Sequence, residues 1–299
     1  MLFLQYVVLF SALTVAILLC NPSTQPSRAL HLRRQRICLI MCKSGPLPFP
    51  LPTSHNLANI PPQTEDVTTL LTTNLGSYAA ACSLDFSRPT TPQIYYDTFA
   101  LRDSLGLKTA TLTYPYFASH QPLSALRSNG PIPVKSCWNG MIVFDAAPFY
   151  TESVGLMFRG TSDELAKEHV EGSECCLVHA DNWHLREEKG VYVNPNVRVS
   201  YNLTTYEDVN PGAGREDVFG GKRREKWPGK WEAVSGIWRN REARWFGWMR
   251  AWSEAEVVRR RVERWVQKGK ALGEDREERG VECLVNEMQV LFENGWQHV

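Results

Sequence analysis

The sequence lacks an excess of charge of either sign. It carries 33 Lys and Arg against 32 Asp and Glu in 299 residues, a formal net charge of +1. A general nucleic-acid-binding protein carries a clear basic surplus, so this balance argues against one. No internal repeat is visible either, which argues against an array of repeated structural units.

The sequence also lacks the cysteine spacing of a structural zinc site. None of its eight cysteines forms a C-x-x-C motif with a second matching pair. The count permits disulfides in a secretory lumen without demanding them. The adjacent Cys175 and Cys176 are predicted to pack rather than to act in redox chemistry, because neighbouring cysteines bond only with strain.

No basic residue precedes the first apolar stretch, Leu2 to Cys20, which is just long enough to span a bilayer as a helix. Four arginines follow it, and by the positive-inside rule they would hold that flank in the cytosol, against the bias of an anchored lumenal enzyme. A cleaved signal stays open. We interpret residues 1–20 as a signal or membrane anchor in the secretory pathway and 21–63, with its many prolines, as a linker.

Three patterns outline an ordered core over residues 64–205. Thr64 to Leu71 predicts a short capped helix. Tyr78 to Phe86 predicts a strand, with Asp85 near its carboxyl end, where open α/β sheets bind ligands. Asp85 is therefore a candidate ligand for a cation or a hydroxyl, and a turn aspartate is the equal alternative. Met141 to Phe144 has the apolar run of a strand that is buried on both faces.

Trp138-Asn139-Gly140 stands immediately before that buried strand. Asn and Gly tolerate positive φ and let a ligand approach the backbone closely. Trp adds a flat apolar face with one N–H donor. This combination suits a sugar, and an ordinary loop that enters a core strand is the competing interpretation.

Arg102 and Asp103 form a second candidate, close in sequence to Asp97. Arginine can hold a carboxylate or a diphosphate in bidentate fashion, and a salt bridge is the alternative. Residues 109–133, with four prolines, are predicted to be a loop that borders a binding site.

A third candidate lies between Glu171 and Asp181. Cys175 to Val178 can form a strand or a helix. On a strand, His179 and Asp181 would share one side, a usable geometry for Mn²⁺ or Mg²⁺ that His184 could join. Val191 to Tyr201 predicts a strand, a proline turn and a second strand. Asn202-Leu203-Thr204 is a glycosylation sequon if this region is lumenal.

Residues 206–299 are rich in Trp and Arg and predict a helical extension. Trp238, Trp245, Trp248 and Trp252 have the spacing of one helix face. We expect that face to pack in the core rather than to bind nucleic acid, because acidic residues balance the basic ones. Ser253 to Glu256 has the form of a capping box, and Val258, Val262 and Trp265 continue an apolar face.

Taken in order, these motifs resemble the fungal capsule-associated α-1,3-mannosyltransferase family, glycosyltransferase family 69. The resemblance covers about residues 64–201 and rests on the following segments: Glu65-Asp66-Val67, Tyr78 to Cys82, Leu84-Asp85-Phe86, Tyr96-Asp97, Arg102-Asp103, Pro133 to Met141, Phe158-Arg159, Glu171 to Leu177, His179-Ala180-Asp181 and Asn194 to Val199.

The resemblance implies an α/β fold with a partial GT-A-like mixed sheet, flanking helices and a helical C-terminal extension. It implies a retaining transfer of mannose from GDP-mannose to a mannoside or other glycan acceptor, with a divalent cation, expected to be Mn²⁺. It further implies a membrane-anchored Golgi enzyme.

The resemblance also suggests roles for particular residues. Asp85 and His179 would bind the metal, and Glu174 or Asp181 would stabilise positive charge at the sugar C1. The other five would contact substrate: Arg102, Asp103, Trp138, Asn139 and Gly140.

One departure from the family opens an alternative function. The family places a nucleotide-binding half before the Glu-Asp-Val helix, where this chain has the proline-rich linker and the apolar N-terminus. The alternative expectation is a truncated, inactive relative that binds sugar or acts as a scaffold.

Overall fold

The computed structural model describes residues 7–11, 14–19, 37–44, 64–87, 92–117, 119–150, 155–200, 203–211 and 228–287. Asn202 of the sequon and the linker beyond Ser44 lie outside these residues. The architecture is mixed α/β, as the sequence predicts.

Helices and strands alternate through residues 64–209, and helices dominate thereafter. The helices are α1 Thr64–Leu71, α2 His120–Ser128, α3 Asp163–Ala166, α4 Glu174–Asp181, α5 Trp183–Lys189, α6 Leu203–Val209, α7 Lys230–Arg239 and α8 Arg241–Ala271. The strands are β1 Val7–Ser11, β2 Thr14–Leu19, β3 Ile37–Ser44, β4 Ala80–Phe86, β5 Arg102–Asp103, β6 Ile132–Ser136, β7 Met141–Asp145, β8 Val170–Gly172, β9 Val191–Ser200 and β10 Leu284–Asn286.

Within the described residues, eight strands form a mixed sheet of order β1-β2-β3-β7-β4-β9-β6-β5. The central pair β4 and β9 is parallel, and the other neighbours are antiparallel. Strands β8 and β10 pair separately.

The central strands are covered on both faces, which explains their continuous apolar sequences. Every residue of β4 and of β7 is buried. Successive side chains alternate between two clusters: Ile142 and Phe144 join the larger one, whereas Met141 and Val143 pack with Leu70 of α1.

Two segments between the predicted elements differ from the sequence-based prediction. Residues 109–133 include helix α2, which buries Leu123 and Leu126; its Pro122 lies in the first turn, where the missing N–H costs little. Residues 191–200 form one strand rather than two. Pro195 lies where the pairing with β4 shifts register, which is where a strand accepts proline.

The C-terminal helices are confirmed, but much of their predicted packing is wrong. Val258, Val262 and Trp265 of α8 are buried against Leu165 and Leu284. By contrast, the exposed fractions of three other tryptophans are large: Trp238 69%, Trp245 76% and Trp252 66%. The predicted capping box is also wrong, because Ser253 lies inside α8 and not at its start.

The predicted N-terminal membrane helix is not confirmed. Residues 7–11 and 14–19 are described as the paired strands β1 and β2. In the part of the chain that the structure describes, no helix has both the length and the apolar character needed to cross a bilayer. The anchor stays a prediction.

Candidate active site

Asn139 and Gly140 form a tight turn between β6 and β7. Both have positive φ, +37° and +68°. The Met141 N–H donates to the Asn139 carbonyl at 2.6 Å, which closes a three-residue turn around Gly140. The sequence-based expectation of an Asn-Gly turn that enters a buried strand is therefore confirmed.

Strand β4 contacts the buried side of this turn. Ser83 and Asp85 are two residues apart and therefore share one face of the strand. The Ser83 hydroxyl donates to the Asn139 carbonyl at 2.5 Å. A Cβ at position 140 would lie 3.0 Å from Asp85 Cγ and 2.8 Å from Val199 Cγ2. Only glycine fits there, and its backbone lies directly against the buried Asp85 carboxylate.

Asp97 holds the turn from a second side. Its Oδ2 accepts from the N–H groups of Trp138 at 3.1 Å and Asn139 at 3.3 Å, and its Oδ1 accepts from the Ala100 N–H at 2.9 Å. In the sequence, Asp97 belongs to the Tyr96-Asp97 motif, and no role was predicted for it. No local pattern could show these contacts, since Asp97 and Trp138 are 41 residues apart.

Several buried polar side chains lie on the inner side of the turn. Tyr95 is fully buried there, and burial raises the pKa of its hydroxyl well above the ordinary value, with the charges of Asp97 and Asp85 adding to the rise. The Asn139 side chain is also buried. Two carboxylates, an amide and a phenol are thus gathered behind one glycine turn.

Trp138 is half-buried and belongs to an aromatic cluster. Its ring meets Phe158 edge-to-face at 5.7 Å between centroids and lies 6.4 Å from Phe144. The disulfide Cys82–Cys137 joins β4 to the residue before Trp138. The position of this ring is therefore fixed by packing and by a covalent link, and part of it stays exposed.

Arg102 is close to this group, but its guanidinium is occupied by main-chain carbonyls. It donates to Phe99 at 2.7 Å, Leu101 at 2.9 Å and Glu282 at 2.5 Å. Burial lowers its pKa to about 10, against the opposing charges of Asp97 and Glu282. These contacts fit a structural tie between β5 and the C-terminal segment better than the predicted diphosphate contact.

Asp103 also accepts hydrogen bonds from main-chain groups close to it in sequence. Its Oδ1 accepts from the N–H groups of Leu105 and Leu107, each at 2.9 Å, in the turn that follows β5. The side chain is buried, so its predicted substrate contact stays a prediction without support from this geometry.

His179 and Asp181 do not share one face, because residues 174–181 form helix α4 and not a strand. On a helix, residues two apart point in nearly opposite directions. His179 is buried, stacks on Phe144 and contacts the Cys137 carbonyl through Nε2 at 2.8 Å. Burial lowers its pKa to about 4, so the ring is neutral at pH 7 and its Nε2–H is the donor.

Asp181 points instead to Arg159, which it binds in bidentate fashion at 2.7 and 2.8 Å. The same guanidinium binds Glu278 at 2.8 and 3.0 Å, and the paired acids raise its pKa. Glu174 is exposed in the first turn of α4. The three predicted residues of this helix therefore point to three different surroundings.

The predicted metal ligands do not fit a common ion. Asp85 lies against Gly140, whereas His179 stacks on Phe144 and donates its Nε2–H to the Cys137 carbonyl. Among the described residues, no group of three His, Cys, Asp or Glu side chains converges in a metal-binding arrangement. The divalent cation stays an expectation.

Residues 57–181, less than half of the chain, match the model of a family described as Cryptococcal mannosyltransferase 1. The match supports the resemblance to the capsule-associated mannosyltransferase family. All nine residues predicted from the resemblance, from Asp85 to Asp181, lie within the matched segment. No curated protein and no solved structure matches the chain.

The matched segment ends at Asp181 and includes the residues on both sides of the glycine turn. It contains Asp85 of β4, Asp97, and the Trp138-Asn139-Gly140 turn itself. The match indicates a mannosyltransferase-like function, with a sugar donor and a glycan acceptor as partners.

Proposed function

We propose that this chain transfers mannose from GDP-mannose to a mannoside or other glycan acceptor with retention of configuration. The observation that carries the proposal is the glycine turn, with a buried carboxylate behind it, inside the segment that matches the mannosyltransferase family. A sugar on the outer face of Gly140 would be separated from Asp85 by this one residue's backbone.

The charges behind the turn support glycosyl transfer. The bond from mannose C1 to the diphosphate breaks with positive charge developing at C1. Ionised side chains of Asp85 and Asp97 would supply negative charge in a protein interior, where such charges act more strongly than in water. The same charges would repel a diphosphate, so we place the sugar and not the diphosphate against the turn.

The other residues of the turn have separate tasks in this proposal. The exposed part of the Trp138 ring offers an apolar surface to the sugar C–H groups. Gly140 lets the sugar approach the backbone. Asp97 acts as a positioning residue, because it holds the N–H groups of Trp138 and Asn139.

Two disulfides support a place in the secretory pathway, which we propose to be the Golgi. Cys82–Cys137 and Cys176–Cys283 both link segments far apart in sequence. Such bonds persist in oxidising compartments and are rare in the cytosol.

The alternative is a relative that binds a sugar without transferring it. The ion pair of Asp181 with Arg159 favours this alternative, because it occupies a carboxylate that the resemblance implies in catalysis. Chromatography of the products from labelled GDP-mannose and a mannoside acceptor, with and without Mn²⁺, separates the two functions. Labelled disaccharide supports the transferase, whereas calorimetric binding of the mannoside without turnover supports the alternative.

A further inference from the structure

We propose that one face of α7 and of the first half of α8 lies on the surface of a bilayer that contains anionic lipids. The tryptophan face consists of the following residues: Trp231, Val234, Trp238, Trp245, Phe246, Met249 and Trp252. This surface is separate from the glycine turn and from the predicted N-terminal anchor, and it does not depend on the proposed transferase activity.

The aromatic side chains of this face recur with helical regularity. Trp231 and Trp238 of α7 are seven residues apart, as are Trp245 and Trp252 of α8, and two turns bring the second of each pair back to nearly the same side of its own helix. All four are exposed, from 66% to 87%. Soluble proteins rarely leave contiguous apolar surface of this kind without a binding partner.

The opposite side of α7 already packs on the protein, so the tryptophan face cannot be its core side. Ala233 and Ile237 pack against the main hydrophobic cluster. A Cβ at Gly236 would lie 2.7 Å from the Tyr114 carbonyl, so the helix contacts this loop at its backbone. The Asn240 amide donates to Thr113 Oγ1 at 2.8 Å and to the Tyr114 carbonyl at 2.7 Å.

The basic side chains of this region favour an anionic surface as the binding partner of the tryptophan face. Residues 229–252 contain five basic and two acidic side chains. Arg241 lies over the Trp238 ring at 4.4 Å and pairs with Glu242 at 3.5 Å, and Arg239 is exposed. Farther along α8, beyond the tryptophan face, Arg259 and Arg260 both pair with Glu256.

These two properties together describe an interfacial helix. Tryptophan prefers the boundary between headgroups and acyl chains, where its apolar ring and its N–H are both accommodated. Basic side chains at the edge of an apolar helix face are attracted to anionic headgroups. Two copies of the chain that met through this face would bring the same basic residues together, so a lipid surface fits the charges better.

Quenching of tryptophan fluorescence by brominated phosphatidylcholine tests the proposal on the full chain. The first tryptophan of the sequence is Trp138. The N-terminal apolar segment therefore contains no tryptophan, and its own insertion into the bilayer gives no quenching signal. We expect quenching by vesicles that also contain phosphatidylserine, weaker quenching without it, and loss of the difference at high salt.

A matched pair of double variants gives the test its control. Arg239→Gln with Arg241→Gln should weaken partitioning onto phosphatidylserine vesicles roughly thirtyfold, because each basic residue adds about a fivefold attraction. Arg259→Gln with Arg260→Gln removes the same charge from the part of α8 beyond the tryptophan face and should change the partitioning little. All four substitutions keep every tryptophan, and circular dichroism checks the fold of each variant.

Three results would overturn the proposal. The first is absence of quenching by both kinds of vesicle. The second is an equal response of the two double variants. The third is self-association through the tryptophan face, measured by sedimentation, together with absence of quenching by lipid. That result would mean that the face binds a second copy of the chain.

Discussion

At the scale of single residues, the close packing around Gly140 leads to a specific prediction about the free energy of unfolding. Gly140→Ala meets both a strained backbone at φ +68° and side-chain atoms at 2.8 and 3.0 Å. We expect a loss of about 2–4 kcal/mol in the free energy of unfolding, from the positive φ and from overpacking together. Urea denaturation measures it.

Gly273 supplies the control for that experiment. It has a similar φ of +74°, but a Cβ there would have nothing within 4 Å. Gly273→Ala should therefore cost only the backbone contribution, about 1 kcal/mol. Equal losses at the two positions would mean that contact with Asp85 and Val199 does not restrict residue 140.

His179 gives the chain a pH-dependent stability. Its pKa is about 4 in the folded protein and near 6.5 in an unfolded chain. Between these values the unfolded state binds more protons, so stability falls as the pH falls from about 6.5 to about 4, by on the order of 3 kcal/mol.

Substitution of His179 by glutamine isolates this effect. His179→Gln keeps an N–H donor for the Cys137 carbonyl and removes the titration, so we expect the urea midpoint to lose most of its dependence on pH in this range. His184→Gln, at an exposed histidine, should leave the dependence intact. If both variants kept the wild-type slope, His179 would not be the responsible group.

Sequence reasoning at this scale succeeded where the constraint is local. The positive φ of Asn139 and Gly140 follows from their residue types. The partners of Asp97 and of Asp181 do not, because they depend on which segments the fold brings together. Arg102 shows the same limit: its carbonyl acceptors include Glu282, 180 residues away.

At the scale of elements, the disulfides fix two junctions of the core. Cys176–Cys283 joins α4 to the segment before β10 across 107 residues. Replacing both cysteines by alanine should lower the free energy of unfolding by about 2–5 kcal/mol. Cys175→Ala is the adjacent control, since Cys175 is outside both disulfides, and it should cost much less. Comparable losses in the two variants would argue against the Cys176–Cys283 bond.

Elements with a continuous apolar sequence were predictable, and ambiguous short ones were not. β4 and β7 are confirmed because burial on both faces demands such runs. Residues 174–181 were compatible with either structure. The helix forms there with Ser173 as its cap, the hydroxyl accepting from the Cys175 N–H at 3.2 Å.

The tryptophan spacing of α7 and α8 illustrates a further limit at this scale. The prediction of a single helix face is not confirmed, because Trp238 lies on α7 whereas Trp245 and Trp252 lie on α8. Periodicity also could not show which side of a helix meets the protein. On α7 small residues decide that question: Gly236 and Ala233 allow the closer approach, so its tryptophans face outward.

At the scale of the whole molecule, the α/β class implied by the family resemblance is confirmed, but the strand order could not be predicted from the sequence. Placing β4 between β7 and β9 requires contacts across more than 100 residues. That arrangement is what puts Asp85 behind the glycine turn. The functional assignment therefore draws on the family match for the chemistry and on the sheet for the geometry.

The most direct test of the proposed transferase compares mannose transfer from labelled GDP-mannose by the wild-type chain and by Asp85→Asn. The account predicts labelled disaccharide from the wild type and a rate lower by on the order of 100-fold in the variant, because fixed charge behind the turn is lost. Asp275→Asn, at an exposed acid, should retain the wild-type rate. Full transfer by a folded Asp85→Asn protein, or no transfer by the wild type, would contradict the account.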